Sequence, residues 1–148
     1  MKRRGLLLLC LMLFVFPSIV QADAVELESV EALIEHAEGK PVIIMYWATW
    51  CDTCLSDLSE LEEFHAAAGK KVSVYSINAT KSERSEKQVK AFVQKSALQV
   101  PVYLDTEGTV AHQFRQVAVP FTIIVDKSGK QRVIPGPVTK KQLEEWVK

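Results

Sequence analysis

The chain has 148 residues, of which 48% are hydrophobic and 24% are charged, and this balance favours one domain with a hydrophobic core. The 18 Lys and Arg residues equal the 18 Asp and Glu residues in number. A formal net charge of zero gives no indication of a nucleic-acid partner or of binding to an anionic membrane surface.

The N-terminus has the pattern of a signal peptide. Basic residues at positions 2–4 precede an apolar run from Gly5 to Phe16, and Pro17 ends this run. Residues 20–22 place small or short side chains where a signal peptidase cleaves. We therefore predict residues 1–22 as the signal peptide, with Ala24 as a second cleavage position.

Residues 23–148 are then the mature domain, which we expect in the periplasm or outside the cell. In the alternative interpretation, residues 5–20 remain as an inner-membrane anchor that faces the domain toward the periplasm. A membrane span needs about 20 apolar residues, and the run is shorter and contains Pro17. Cleavage is therefore favoured, and it also removes Cys10.

Two cysteines remain in the predicted mature domain, Cys51 and Cys54, three positions apart. A structural disulfide stabilises a fold most when it closes a long loop. A bridge between these two residues closes almost no loop. A chemical role therefore explains the pair better than a structural role does.

The segment after the signal peptide alternates between helix and strand patterns. Ser29 is a suitable N-cap, and Val42–Trp47 is a continuous apolar run typical of a strand buried on both faces. Further on, the spacing of apolar residues alternates between the 3.6-residue period of a helix and the 2-residue period of a strand. The predicted elements of this part are a helix over 29–38, a strand Val42–Trp47, a helix Cys51–Ala68, a strand Val72–Asn78 and a helix Lys81–Lys95 that buries Val89, Phe92 and Val93.

The C-terminal part adds a hairpin and a last helix. Residues 126–129 have turn chemistry, and Thr139 with Gln142 forms a capping box. The predicted elements are a strand Val100–Leu104, a helix Thr109–Phe114, strands Phe121–Val125 and Gln131–Ile134, and a helix that buries Leu143, Trp146 and Val147. Together the elements predict an α/β fold, with helices flanking a central mixed sheet.

The chemical site is predicted where the strand Val42–Trp47 leads into the following helix. Cys51 lies in the first turn of that helix, where unpaired N–H groups and the helix dipole favour a thiolate by lowering the thiol pKa. Cys54 follows nearly one turn later and can reach back to Cys51. This spacing supports attack on a disulfide by one sulfur and resolution of the mixed disulfide by the other.

A zinc site is the alternative interpretation of the two cysteines. Structural zinc needs four protein ligands and catalytic zinc needs three. The histidines at positions 36, 65 and 112 have no recognisable ligand spacing relative to Cys51 and Cys54. We therefore predict a redox pair with no metal and no cofactor.

The chain resembles thioredoxin-fold proteins, in particular the TlpA-like branch that includes the cytochrome-maturation reductases ResA and CcmG (DsbE). The matching stretches are Tyr46–Cys54, Val117–Thr122 and an added helix and strand at about residues 81–104. The resemblance implies a thioredoxin fold with a TlpA-like helix–strand insertion and a thiol–disulfide oxidoreductase activity. It further implies protein thiols and disulfides as substrates and a membrane-linked electron donor of the DsbD or CcdA type.

By the same resemblance, Pro120 is a cis-proline that faces the disulfide, and the backbone of Val119 pairs with substrate. The residues alone favour a trans-proline that starts a strand, because most X–Pro bonds are trans. Trp50 is the candidate for an apolar surface beside the disulfide, whereas Trp47, inside a strand, is predicted to lie in the core.

Asp57 is the acidic residue of most interest. At helical pitch it lies on the same side as Cys54 and Leu61, so we expect burial to raise its pKa. It can then exchange protons with the resolving thiol. Relatives similar to ResA carry an acidic residue at this position, whereas ordinary thioredoxins bury an aspartate at the position of Met45. The alternative is a solvated helix carboxylate.

Three functions fit this pattern. The first is a periplasmic reductase of protein disulfides, with cytochrome c maturation as one process it would serve. The second is a thiol oxidase or disulfide isomerase, because Asp52 and Thr53 between the cysteines leave the direction of electron flow open. The third is a thioredoxin-like binding module without turnover.

Overall fold

In the computed structural model, residues 22–147 form a six-stranded sheet with helices on its two faces. Short 3₁₀ turns at residues 69–71 and 80–82 lie on either side of the third strand. The elements are β1 (Ala24–Glu26), α1 (Val30–His36), β2 (Val42–Trp47), α2 (Asp52–Ala68), β3 (Ser73–Asn78), α3 (Glu86–Ser96), β4 (Val102–Leu104), α4 (Thr109–Gln113), β5 (Phe121–Val125), β6 (Gln131–Pro135) and α5 (Lys140–Trp146).

The strand β2 is central in the sheet, whose order is β1-β4-β3-β2-β5-β6. It pairs parallel with β3 and antiparallel with β5, and all six of its residues are buried. A strand that is covered on both faces needs apolar side chains at every position, which explains its continuous apolar run. This central strand carries the chain directly into the Cys51–Cys54 segment.

Side chains of β2 alternate between two packed layers. Tyr46 stacks on Phe121 of β5 with ring centroids 4.7 Å apart, while Trp47 contacts Phe92 of α3 at 5.5 Å. Trp47 is fully buried, as predicted, and α2 packs with α5 on the sheet. Burial of the aromatic rings at this end of β2 stabilises the point from which the following loop leaves the sheet.

Two helix caps are confirmed. The Ser29 hydroxyl accepts from the Ala32 N–H at 3.0 Å, and Thr139 with Gln142 forms the predicted capping box. In the last helix Leu143 is buried, whereas Trp146 and Val147 are half-buried against the core. Side-chain oxygens therefore satisfy N–H groups that the helices themselves leave unpaired.

The insertion differs from the sequence prediction at both of its elements. The helix predicted over Lys81–Lys95 begins only at Glu86, because Ser85 takes the N-cap position and accepts from the Gln88 N–H at 3.3 Å. Phe92 on this helix is half-buried. The strand predicted from Val100 begins at Val102, since Pro101 has no N–H for a sheet hydrogen bond.

The edge strand β1 was not predicted, because its three residues have no recognisable pattern. It pairs parallel with β4. The predicted signal peptide, apart from Ala22, and Cys10 lie outside the described residues. In the part of the chain from residue 22 to 147, no helix has the length and apolar character needed to cross a bilayer.

Candidate active site

The two cysteines form a disulfide at the N-terminus of α2, with Cα atoms 5.2 Å apart. Cys51 is the N-cap of the helix, one position earlier than the predicted first turn, and its Sγ accepts from the Cys54 N–H at 3.2 Å. An N–H group aimed at this sulfur favours negative charge on it. Cys51 is 8% exposed and Cys54 is fully buried, so an incoming group can reach Cys51 first.

Asp57 lies on the buried side of α2, one helical turn after Cys54, and is 4% exposed. Its Oδ2 accepts from the Val138 N–H at 3.1 Å. Burial raises the pKa of the Asp57 carboxyl group; the hydrogen bond from Val138 opposes this, and the charge of Glu60 adds to it. The alternative of a solvated carboxylate is therefore wrong.

The Val119–Pro120 peptide bond is cis, so the trans alternative is wrong. Pro120 is buried and Val119 is half-buried. Because Tyr46 pairs with Phe121 across the sheet, Pro120 lies at the end of the sheet from which β2 leads into the cysteines. Within residues 22–147, the backbone groups of positions 117–119 make no hydrogen bond.

A groove of about 270 Å³ lies beside this loop. Trp50 on its rim is 59% exposed and Val117 is fully exposed, and the Trp50 Nε1 donates to the Ser82 hydroxyl at 3.3 Å. The structure therefore brings Trp50 and Val119 to one surface. The groove is lined by Tyr46, Trp50, Ala79, Lys81, Ser82, Gly108, Ala111 and residues 116–119.

A buried hydrogen-bond network under the groove was missed from the sequence. The Tyr46 hydroxyl donates to Asp105 Oδ2 at 2.9 Å, and Asp105 also accepts from the N–H groups of Thr109 and Val110 at the start of α4. Burial and the Asp105 carboxylate raise the pKa of Tyr46 far above its ordinary value. An aspartate four residues before a helix was the one local signal, and it does not identify Tyr46 as the partner.

A second missed residue is Glu83, whose carboxylate lies against Thr49, two positions before Cys51. Nothing in the local sequence distinguishes it from the other charged residues of this segment. In the described range 22–147, no three His, Cys, Asp or Glu side chains are grouped as metal ligands would be. The histidines at positions 36 and 112 are exposed.

Residues 20–134 match the AhpC/TSA family, and they make up most of the chain. The chain belongs to this family. The thioredoxin-like protein YneN of Bacillus subtilis is 34% identical over 113 residues, which cover 76% of this chain and 66% of YneN. The thiol–disulfide oxidoreductase ResA of Bacillus thuringiensis subsp. konkukian is 30% identical over 134 residues, 89% of this chain and 74% of ResA.

Solved structures agree with this family. StoA of Bacillus subtilis superimposes with a TM-score of 0.67 at 26% identity, over 73% of this chain and 82% of StoA. The exposed lipoprotein thioredoxin Etrx1 of Streptococcus pneumoniae superimposes with a TM-score of 0.69 at 27% identity, over 76% of this chain and 86% of Etrx1. The fold is the thioredoxin fold, and the chain is a thiol–disulfide oxidoreductase of the ResA and StoA type, with Cys51 and Cys54 at disulfide distance.

Proposed function

We propose that this chain is an extracytoplasmic reductase of protein disulfides in which Cys51 attacks and Cys54 resolves. The observation that carries the proposal is the unequal burial of the two sulfurs at the start of α2, 8% exposed for Cys51 and 0% for Cys54. The Cys51 thiolate displaces one substrate sulfur and forms a mixed disulfide. Cys54 then attacks Cys51, so the substrate leaves with two thiols and the enzyme holds the disulfide.

Asp57 is proposed as the proton acceptor for Cys54 during resolution. Cys54 is a weak nucleophile until its proton leaves, because the thiolate is the attacking form. A buried carboxyl group with a raised pKa, one turn away on the same helix, is suited to take up this proton and return it in the reverse reaction.

Trp50, Val119 and Pro120 are proposed to bind the substrate segment that carries the disulfide. The unpaired backbone groups before Pro120 can hydrogen-bond to an extended chain. The groove of about 270 Å³, with the exposed Trp50 and Val117 on its rim, could hold one large apolar side chain next to the substrate cysteine.

The location and the electron donor follow from the relatives and from the N-terminus. Similar structures are described as an exposed lipoprotein and as a secreted isomerase, and residues 1–22 have a signal-peptide pattern. Outside the cytoplasm a reductase must be re-reduced across the membrane, so we propose a membrane-linked donor of the DsbD or CcdA type. Apocytochrome c is one protein whose disulfide such a reductase would reduce.

A second candidate function is disulfide isomerisation or oxidation. A secreted thiol–disulfide isomerase of Corynebacterium glutamicum superimposes with a TM-score of 0.66 at 26% identity, over 77% of this chain and 72% of that chain. The reduction potential separates the candidates. A reductase should have a value near the ~−270 mV of thioredoxin, and a value near the ~−120 mV of strong oxidants would overturn the proposal.

The substrate is best identified with a Cys54→Ala variant expressed in the native host. Without the resolving sulfur, Cys51 should remain covalently bound to its partner, which mass spectrometry can identify. The matched control is Cys51→Ala, which should trap nothing. Equal trapping by both variants would contradict the assigned order of the two sulfurs.

A further inference from the structure

The Glu83 carboxylate joins the loop after β3 to the loop that precedes Cys51. Its Oε1 accepts from the Thr49 N–H at 2.6 Å and from Asn78 Nδ2 at 2.9 Å, while its Oε2 accepts from the Thr49 hydroxyl at 2.5 Å. Hydrogen bonds to an ionised acceptor are shorter and roughly twice as strong as neutral ones. Among residues 22–147, the Thr49 N–H has no other partner.

Glu83 is itself held by the sheet. Asn78 is fully buried at the end of β3, where it pairs in register with Trp47 of β2. The Asn78 Oδ1 accepts from the Thr80 hydroxyl at 2.9 Å, and the Thr80 carbonyl accepts from the Glu83 N–H at 3.0 Å. The Glu83 carboxylate therefore links Thr49 to Asn78, at the paired ends of β2 and β3.

Ser82 holds the next residue of the same loop. Its hydroxyl accepts from the Trp50 indole at 3.3 Å and donates to the Ala79 carbonyl at 2.8 Å. Consecutive residues of the β3–α3 loop thus hold the two residues that lead into Cys51. The hydrogen bonds from Thr49 to the Glu83 carboxylate are shorter than the hydrogen bond from Trp50 to the Ser82 hydroxyl.

We propose that Glu83 is a positioning residue for thiol–disulfide exchange. It keeps the Thr49–Trp50 segment in place, so that the Cys51 sulfur stays at the N-terminus of α2 and the Trp50 ring stays at the groove. This proposal rests on the proposed role of Cys51 as the attacking thiol. Displacing a reacting atom by about 1 Å can cost on the order of 100-fold in rate, so the loss of these contacts has a kinetic consequence.

The test compares Glu83→Ala with Glu83→Gln. Glutamine retains one oxygen for the Thr49 and Asn78 N–H groups, and its amide can donate to the Thr49 hydroxyl, so it removes the charge and keeps the contacts. Glu83→Ala should lower kcat/KM for a protein disulfide by 10- to 100-fold, and slow alkylation of reduced Cys51 by iodoacetamide at pH 7. Glu83→Gln should stay within about threefold of the parent in both assays.

Glu62→Ala is the matched control. The Glu62 carboxylate likewise accepts two backbone N–H groups, those of Gln99 and Val100 at 2.9 and 2.8 Å. It lies about 16 Å along α2 from Cys51 at 1.5 Å per residue. Its loss should lower the melting temperature and leave Cys51 alkylation unchanged. Equal slowing of alkylation in Glu62→Ala and Glu83→Ala would assign the effect to stability and overturn the proposal.

A milder variant decides the question if Glu83→Ala does not fold. Thr49→Val removes only the hydroxyl contact to Glu83 and should slow Cys51 alkylation by about threefold, on the order of 0.6 kcal/mol. Alkylation at the parent rate in this variant would overturn the positioning role. Cys51→Ser is assayed in parallel: if it keeps reductase activity, the proposed function fails independently of Glu83.

Discussion

Replacing Asp57 with asparagine tests the acid–base role of this carboxyl group. Asparagine keeps an oxygen that can accept from the Val138 N–H, now 3.1 Å from Asp57 Oδ2, but it cannot bind or release a proton. General acid–base catalysis contributes about 10²–10⁴-fold. We therefore expect Asp57→Asn to slow the resolution step by about 100-fold, while the attack by Cys51 continues at nearly the parent rate.

The same substitution should have the opposite effect on stability. Because the folded protein raises the pKa of Asp57, this group contributes stability that is fully present below its unfolded pKa of about 4 and is lost as the pH rises through the folded pKa. Asparagine is neutral throughout, so the variant should be more stable than the parent at pH 7, with a difference that shrinks toward pH 4. Asp57→Ala leaves the Val138 N–H unpaired and should lose about 1–3 kcal/mol.

The assay is single-turnover release of substrate from the mixed disulfide, measured between pH 5 and 9, together with urea unfolding at pH 4 and 7. The rate of substrate release from the parent protein should rise with pH as the Asp57 carboxyl group ionises. The rate for Asp57→Asn should lack this pH-dependent step. Glu60→Gln should move the step to lower pH, because the Glu60 charge raises the pKa of Asp57. An Asp57→Asn rate within twofold of the parent, with the same pH profile, would refute the acid–base role.

Two further substitutions test the groove. Tyr46→Phe keeps the ring but removes the hydrogen bond to the buried Asp105, so the free energy of unfolding should fall by about 1.5–3 kcal/mol in urea. The control Tyr75→Phe, at a half-buried ring that packs against Tyr103 and the core, should cost less than about 1 kcal/mol. Equal losses in the two variants would contradict the role of Asp105. Trp50→Ala removes an exposed apolar ring and should lower kcat/KM for a protein disulfide by about 10- to 100-fold, with little change for a small aromatic disulfide. An equal decrease for both substrates would show that Trp50 acts on the sulfurs and not on substrate binding.

The sequence predicted those features that depend on local patterns. The continuous apolar run of β2, the caps at Ser29 and Thr139 and the position of the two cysteines are each determined by neighbours within a few residues. The burial of Asp57 also follows from its place on the apolar face of α2. Periodicity and capping chemistry therefore sufficed for most elements of the fold.

The contacts around the site could not be predicted in this way. Glu83 is 34 residues from Thr49, and Tyr46 is 59 residues from Asp105, so no local pattern connects either pair. The start of α3 was misplaced because residues 81–85 are as polar as the exposed face of a helix, while Ser85 takes the cap position. Hydrogen bonds between distant segments depend on strand order, which the pattern of apolar residues does not specify.

These contacts connect the site to the β3–α3 loop and to the segment that follows β4. The β3–α3 loop supplies Glu83, and the segment after β4 supplies Asp105, which fixes Tyr46 and the start of α4. Gly108, three residues after Asp105, has a left-handed backbone with φ 71°, and a Cβ there would lie 2.9 Å from the Lys81 Cδ. Glycine is therefore favoured at this position by its backbone conformation, and its lack of a side chain leaves room for Lys81, which lines the groove. If the groove binds the substrate as proposed, substitutions at Gly108 or Lys81 should change substrate preference while the Cys51–Cys54 disulfide stays as it is.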